Sequence, residues 1–162
     1  MPDVKDLYDR GMTAFAEKHY REAIDCFTRC LKEEPRNLTF VMARVEVHMA
    51  WNDRPRAITD LTTALKIKPD HVEWLRLRAK MLTLQKQYTE AIADLDRAFT
   101  LEPKNVSILT QRALCHIEAS NTTAALADFD LAIRMEPENA RTYELSRDFI
   151  VKTMTERLCA DF

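Results

Sequence analysis

The chain has 162 residues, 46% of them apolar and 31% charged, and its 24 basic and 26 acidic residues leave a net charge of −2. That balance suits a folded globular chain; it excludes a disordered polymer and the cationic surplus that nucleic acid or an anionic membrane selects. The opening "MPDVKDLYDRGM" lacks the apolar stretch of a secretory leader, and no segment approaches the run of about 18 to 20 apolar residues that a membrane span needs.

Glycine occurs once, at Gly11. Hairpin turns draw heavily on glycine, so its scarcity predicts helices joined by short turns. Cys26, Cys30, Cys115 and Cys159 follow no paired framework. They read as reduced thiols of a cytoplasmic protein.

In chain order, the first unit spans residues 4–37. Asp3 is the expected N-cap of its first helix, and Asp6 is a favourable first-turn carboxylate. Leu7 and Gly11 share one face of that helix. The polar turn "EKHYRE" leads to a second helix carrying Ala23, Phe27 and Cys30 on one stripe, and Pro35 ends it. The pattern then returns over 38–71, 72–105 and 106–139. Val41, Leu75 and Leu109 repeat Leu7, while Val45, Ala79 and Ala113 repeat the compact Gly11. Ala57, Ala91 and Ala125 repeat Ala23; Leu61, Leu95 and Phe129 repeat Phe27. The closing phrases "EEPRN", "IKPDH", "LEPKN" and "MEPEN" place Pro35, Pro69, Pro103 and Pro137 at intervals of 34 residues. Beyond them, residues 140–159 read as a capping helix with Tyr143, Ile150, Met154 and Leu158 on one stripe.

These columns resemble the tetratricopeptide repeat, whose 34-residue pattern includes a small residue in the first helix, A-x3-F in the second and a closing proline. "YREAIDCF" (20–27), "YTEAIADLDRAFTLEPKN" (88–105) and "AALADFDLAIRMEPEN" (124–139) carry the likeness most clearly. The resemblance implies an all-α α-solenoid forming one domain over 1–162. Its antiparallel helix pairs would wind into a right-handed superhelix.

One column departs from the pattern. Where leucine is expected before the small residue, the chain has Arg10, Arg44, Arg78 and Arg112. An unpaired buried charge is costly. Sixteen residues after the last three stand Asp60, Asp94 and Asp128. The expected answer is an Arg–Asp clasp within each of repeats 2, 3 and 4, with Asp25 a candidate partner for Arg10. The tyrosine slot holds Ala14, His48, Leu82 and His116. The histidines lack zinc-ligand spacing, and Cys26 with Cys30 reads as compact core filling. A single glycine builds no phosphate loop, and no nucleophile–base pair emerges. Neither a metal nor a cofactor is expected, nor is catalysis.

The resemblance implies a concave groove lined by the first helix of each repeat, taking a peptide or helix. Carried over by position, it comprises Lys5, Tyr8, Met12 and Phe15, then Thr39, Met42, Glu46 and Met49. Glu73, Arg76, Lys80 and Thr83 follow, then Ser107, Thr110, Leu114 and Ile117, and from the cap Arg141, Glu144, Asp148 and Val151. Methionines and aromatics make the first part an adaptable apolar surface. Arg76 and Lys80 would meet an acidic group. The competing reading packs Met12, Phe15 and Met42 between helices as core. The family's chaperone-binding members grip a C-terminal carboxylate with lysine, asparagine and arginine. Those places here hold Tyr8, Met12, Ala43, Glu73 and Leu77, so that subset is disfavoured. A protein-binding adaptor for an amphipathic helix is the expected role. The alternative is homo-oligomerisation through Leu145, Phe149 and Phe162.

Overall fold

The computed structural model describes the backbone of residues 3–160 and the side chains of residues 3–152. Among the described residues every regular element is a helix. The chain's internal contacts divide it after Trp74 into two compact units. The first contains α1 (Val4–Ala16), α2 (Tyr20–Glu33), α3 (Leu38–Ala50) and α4 (Arg54–Ile67), and ends within the first turn of α5 (Val72–Leu84). The second holds the rest of α5, then α6 (Tyr88–Leu101), α7 (Val106–Glu118) and α8 (Thr122–Met135). A short 3-10 turn, Pro137–Asn139, leads into α9 (Ala140–Ala160).

Two turn types alternate along the chain, each with a local cause. After the first helix of every repeat comes one residue with left-handed backbone: Lys18, Asn52, Lys86 and Ser120, at φ of 62°, 59°, 60° and 59°. Around Lys18 the amide of Lys18 donates to Phe15 O at 2.9 Å, and that of His19 to Ala14 O at 2.8 Å. This double bond pattern is a Schellman motif, which satisfies the last carbonyls of the helix. It recurs at Asn52/Asp53, Lys86/Gln87 and Ser120/Asn121. Glycine usually takes the left-handed place. Here four other residues hold it.

After the second helix the phrase Glu-Pro-x-Asn makes the turn. Asn37, Asn105 and Asn139 donate from Nδ2 to Oε2 of Glu34, Glu102 and Glu136, at 2.7, 2.8 and 3.0 Å. The same asparagines donate their amides to the glutamate carbonyls. Repeat 2 has Lys68 and His71 in these places, and His71 instead stacks on Trp74, with ring centroids 3.8 Å apart. Side-chain caps come from Asn37, Asp53 and Asn121, which accept from Thr39, Arg56 and Ala124 amides. Asp3, expected as a cap, makes no side-chain cap bond; only its carbonyl is engaged, by the Leu7 amide.

The core of the first unit is built on Phe27, fully buried among Ala14, Ala23, Ala43 and Val47. A neighbouring cluster joins Leu7, Cys30 and Phe40. Alanines let the backbones approach, and the large rings fill the gap. Gly11 carries this furthest: a Cβ there would lie 2.6 Å from Phe27 Cε1. In the second unit Ala113 and Phe129 receive Ile150 of α9, flanked by Tyr143. The Tyr143 hydroxyl donates to Glu136 at 2.7 Å, tying α9 to the preceding turn. Thus α9 buries Ile150 and half-buries Tyr143 of its expected stripe, whereas the side chains of Met154 and Leu158 lie outside the described residues.

Candidate functional site

In the first unit, the residues expected to line a groove on α1 and α3 differ in exposure. Met12 and Glu46 are exposed; Met42 and Met49 are half-buried. Tyr8 and Phe15 are half-buried too, but they serve the core as well as the surface. Tyr8 packs against the rings of Phe27 and Phe40, with centroids 5.7 and 5.4 Å away. Phe15 faces Tyr20 at 6.4 Å, and Tyr20 in turn faces Trp51 at 6.2 Å. Met12 stays exposed, whereas Tyr8 and Phe15 pack against other aromatic rings.

In the second unit Lys80 is exposed and Leu114 is 58% exposed, while Ile117 is half-buried against the Ala113–Phe129–Ile150 cluster. Arg76 is drawn into its own unit. Its guanidinium donates to Gln111 Oε1 at 3.2 Å and Ser107 Oγ at 2.7 Å, and Gln111 Nε2 donates back to the Arg76 carbonyl at 2.8 Å. Arg76 thus bridges α5 to α7 as well as facing outward.

The arginine column is the most ordered polar feature. Arg44 donates through Nε and NH2 to both oxygens of Asp60, at 2.8 and 2.6 Å. Arg78 does the same with Asp94 at 2.7 and 2.6 Å, and Arg112 with Asp128 at 2.9 and 2.6 Å. All three aspartates are buried. A forked guanidinium matches a carboxylate in this planar geometry. A second tether runs the other way. Arg44 NH1 donates to Thr28 Oγ1 at 3.0 Å, and Arg112 NH1 to Asp96 Oδ1 at 2.6 Å. These partners stand sixteen residues before the arginine, a regularity the sequence holds but the clasp reading passed over. Arg147 of α9, seventeen residues after Asp130 and one place past the arginine column, makes a similar tether to it at 3.0 Å. The bonds from Asp128 and Asp96 hold the Arg112 guanidinium charged beyond its already high ordinary range.

Repeat 1 differs from expectation. Arg10 binds Glu22, its Nε 2.9 Å from Oε1, and Asp25 is instead 4.0 Å from Arg29. Glu22 lies one turn before Cys26, the residue in the aspartate column, and its longer chain reaches across. This pair is exposed, at 63% and 42% of side-chain area. It leaves no buried charge to neutralise.

His48 is buried beside the Arg44–Asp60 pair, its Nε2 3.7 Å from Asp60 and its Nδ1 3.9 Å from Asp53. Burial pulls its pKa below the ordinary value, and Asp60 and Asp53 only partly oppose this. Cys26, Cys30 and Cys115 are buried free thiols, and desolvation raises the pKa of each. The Cys159 side chain lies outside the described residues. Among the described residues no three His, Cys, Asp or Glu side chains converge as a metal site would require, and no helix is long and apolar enough to cross a membrane.

The geometry matches a known architecture. The family model described as tetratricopeptide repeat matches residues 4–37, and a second model of the same description matches residues 42–106 and 85–141. None of the curated proteins matches the chain. Among solved structures, a tetratricopeptide repeat protein from Parabacteroides merdae is similar with a TM-score of 0.74 at 21% identity, over 98% of this chain and 62% of that one. MamA is similar with a TM-score of 0.73 at 18% identity, over 96% and 90%. YrrB, described as a TPR protein with an unusual peptide-binding site, is similar with a TM-score of 0.72 at 18% identity, over 90% and 74%. The shared fold is all-α, of the α-solenoid class. On its repeats, its helix order and its family matches, the chain belongs to the tetratricopeptide repeat family.

Proposed function

We propose that the chain is a non-enzymatic interaction module that binds partner proteins through the outward faces of its first helices. The observation that carries this reading is the α1/α3 face of the first unit. Met12 of α1 is exposed and Met42 and Met49 of α3 are half-buried, and the same helices are locked by Tyr8 packing against Phe27 and Phe40. Flexible thioethers on a close-packed support suit an apolar helix face, because methionine moulds to shape while the support stays fixed. In the second unit Leu114 offers an apolar contact and Lys80 a cation for an acidic residue. YrrB supports the assignment at the level of peptide binding by a protein of the same fold. Free thiols at Cys26, Cys30 and Cys115 fit a cytoplasmic setting.

The test is affinity capture with wild-type, Met42→Glu and Lys80→Glu baits, followed by titration of the retained proteins. Loss of a partner in either variant supports the reading. Equal retention by all three baits refutes it.

A second reading has its own observation. Leu145 and Phe149 on α9 are 62% and 68% exposed, beside exposed Val151. Such a strip suits association with another copy of the chain. Phe162, the third residue expected there, lies outside the described residues. Light scattering on wild type and Leu145→Glu/Phe149→Glu decides it, since a monomer at high concentration removes this reading.

A further inference from the structure

The first unit contains a cavity of about 470 Å³ between α2, α3 and α4, which none of the groove residues lines. Its inner part is the buried polar cluster: Arg44 forked onto Asp60 and bonded to Thr28, with His48 alongside. Its remaining lining comes from Arg21 and Ile24 of α2, Trp51 after α3, and Arg56 and Thr59 of α4. Three guanidinium groups thus face one lining carboxylate, Asp60. His48 adds no acidity to the balance, and its buried Nδ1 lacks a hydrogen-bond partner. Arg56 is partly neutralised by Asp53, 2.7 Å away. Arg21 has no carboxylate partner among the described residues; its guanidinium lies over the Trp51 ring, 5.8 Å from the centroid. Trp51 and Ile24 supply an apolar wall beside these cations.

We propose that this cavity is a second binding site, distinct from the first-helix faces, for an acidic residue of a partner peptide flanked by an apolar residue. The carboxylate would sit between Arg21 and Arg56, and the apolar neighbour against Trp51 and Ile24. A guanidinium held near an aromatic ring by cation–π attraction spends none of its N–H donors on a carboxylate and keeps them available to receive one. The volume falls within the range of small-ligand pockets. A singly charged group suits the site better than a phosphate dianion. Arg44 already has its fork filled by Asp60, and Asp60 with Asp53 would repel the second charge. Because none of the methionine face takes part, the site stands or falls apart from the preceding proposal.

The experiment uses the full chain and three probes: acetyl-Leu-Glu-Leu-amide, its glutamine counterpart and its phosphoserine counterpart. The readout is the indole N–H signal of Trp51, assigned with Trp51→Phe, with the Trp74 indole as internal reference. The expected result is a saturable Trp51 shift with the glutamate peptide and affinity at least about tenfold weaker for the glutamine peptide, since a charge-assisted pair is worth that much. Arg21→Glu and Arg56→Ala, both at exposed positions, each weaken the glutamate peptide, whereas Lys32→Glu on the same helix as Arg21 does not. The proposal is overturned if the Trp51 signal fails to saturate, if glutamate and glutamine peptides bind alike, or if Arg21→Glu binds undiminished. Tighter binding of the phosphoserine peptide than of the glutamate peptide overturns it in favour of a phosphate site.

Discussion

Replacing Arg112 by alanine tests the energetics of the clasp. The Arg112 side chain is 17% exposed and the Asp128 side chain 7%, so the substitution strips both guanidinium donors from a carboxylate with little access to water. Breaking a buried pair by removing one partner costs about 3 to 5 kcal/mol. The lower end applies here, because the deleted side chain opens a path for water to reach Asp128. About 3 kcal/mol, at a urea dependence of about 2 kcal/mol per molar, lowers the unfolding midpoint by roughly 1.5 M. Asp128→Ala should cost less, about 2 kcal/mol, since Arg112 keeps Asp96 at 2.6 Å and the Phe99 ring at 5.4 Å. The double variant should be no worse than Arg112→Ala alone, because the orphaned carboxylate is then gone. Arg10→Ala, at the exposed pair, serves as the reference and leaves the midpoint almost where it was. Equilibrium unfolding followed by circular dichroism reads all four. An Arg112→Ala loss below about 1 kcal/mol would show that Asp128 is solvated in practice, and the buried-clasp reasoning would be refuted.

Three further outcomes follow from the same structure. Gly11→Ala should lower stability by about 1 to 2 kcal/mol in urea unfolding, because displacing the buried Phe27 ring outweighs the helix propensity gained; a more stable variant would contradict this. Lys86→Gly should raise the melting temperature by about 1 to 4 °C, since a left-handed backbone costs a lysine about 1 to 2 kcal/mol and glycine returns part of that as unfolded-chain entropy; calorimetry reads it, and a lower value would refute it. His48 has its pKa depressed by burial, so the unfolded chain binds its proton more readily; stability should fall as pH drops below about 6.5, and His48→Gln should lose that share of the dependence in melting curves between pH 7.5 and 5.5.

The helical repeat was legible because proline and alanine recur with a fixed period, and periodicity survives without any knowledge of contacts. The charged column was legible for a similar reason: Asp60, Asp94 and Asp128 keep a constant offset from their arginines. What escaped the sequence depends on side-chain length and backbone sign. Nothing in a one-dimensional reading favours Glu22 over Asp25 as the partner of Arg10; an extra methylene and a helical turn decide it. The left-handed residues at Lys18, Asn52, Lys86 and Ser120 were hidden because residue type is not their signature; only their period is. For Tyr8 and Phe15 the sequence left core and surface as alternatives, because an aromatic ring is large enough to lie in both at once. The cavity among α2, α3 and α4 draws its lining from three helices and a turn, and no local motif announces such a convergence.

The two-way tethering of the arginines also shapes how this chain can change over generations. A lone return to leucine at Arg44 would abandon Asp60 in the interior and Thr28 beside it, and a lone loss of Asp60 would strand a guanidinium. Exchanging both members for apolar residues of similar bulk is, by contrast, nearly neutral for many buried pairs. The way back to the ordinary family pattern therefore passes through a poorly stable intermediate at each of the three buried pairs, though not at the exposed Arg10–Glu22 pair. Drift alone would tend to preserve the column long after any advantage that first installed it had vanished.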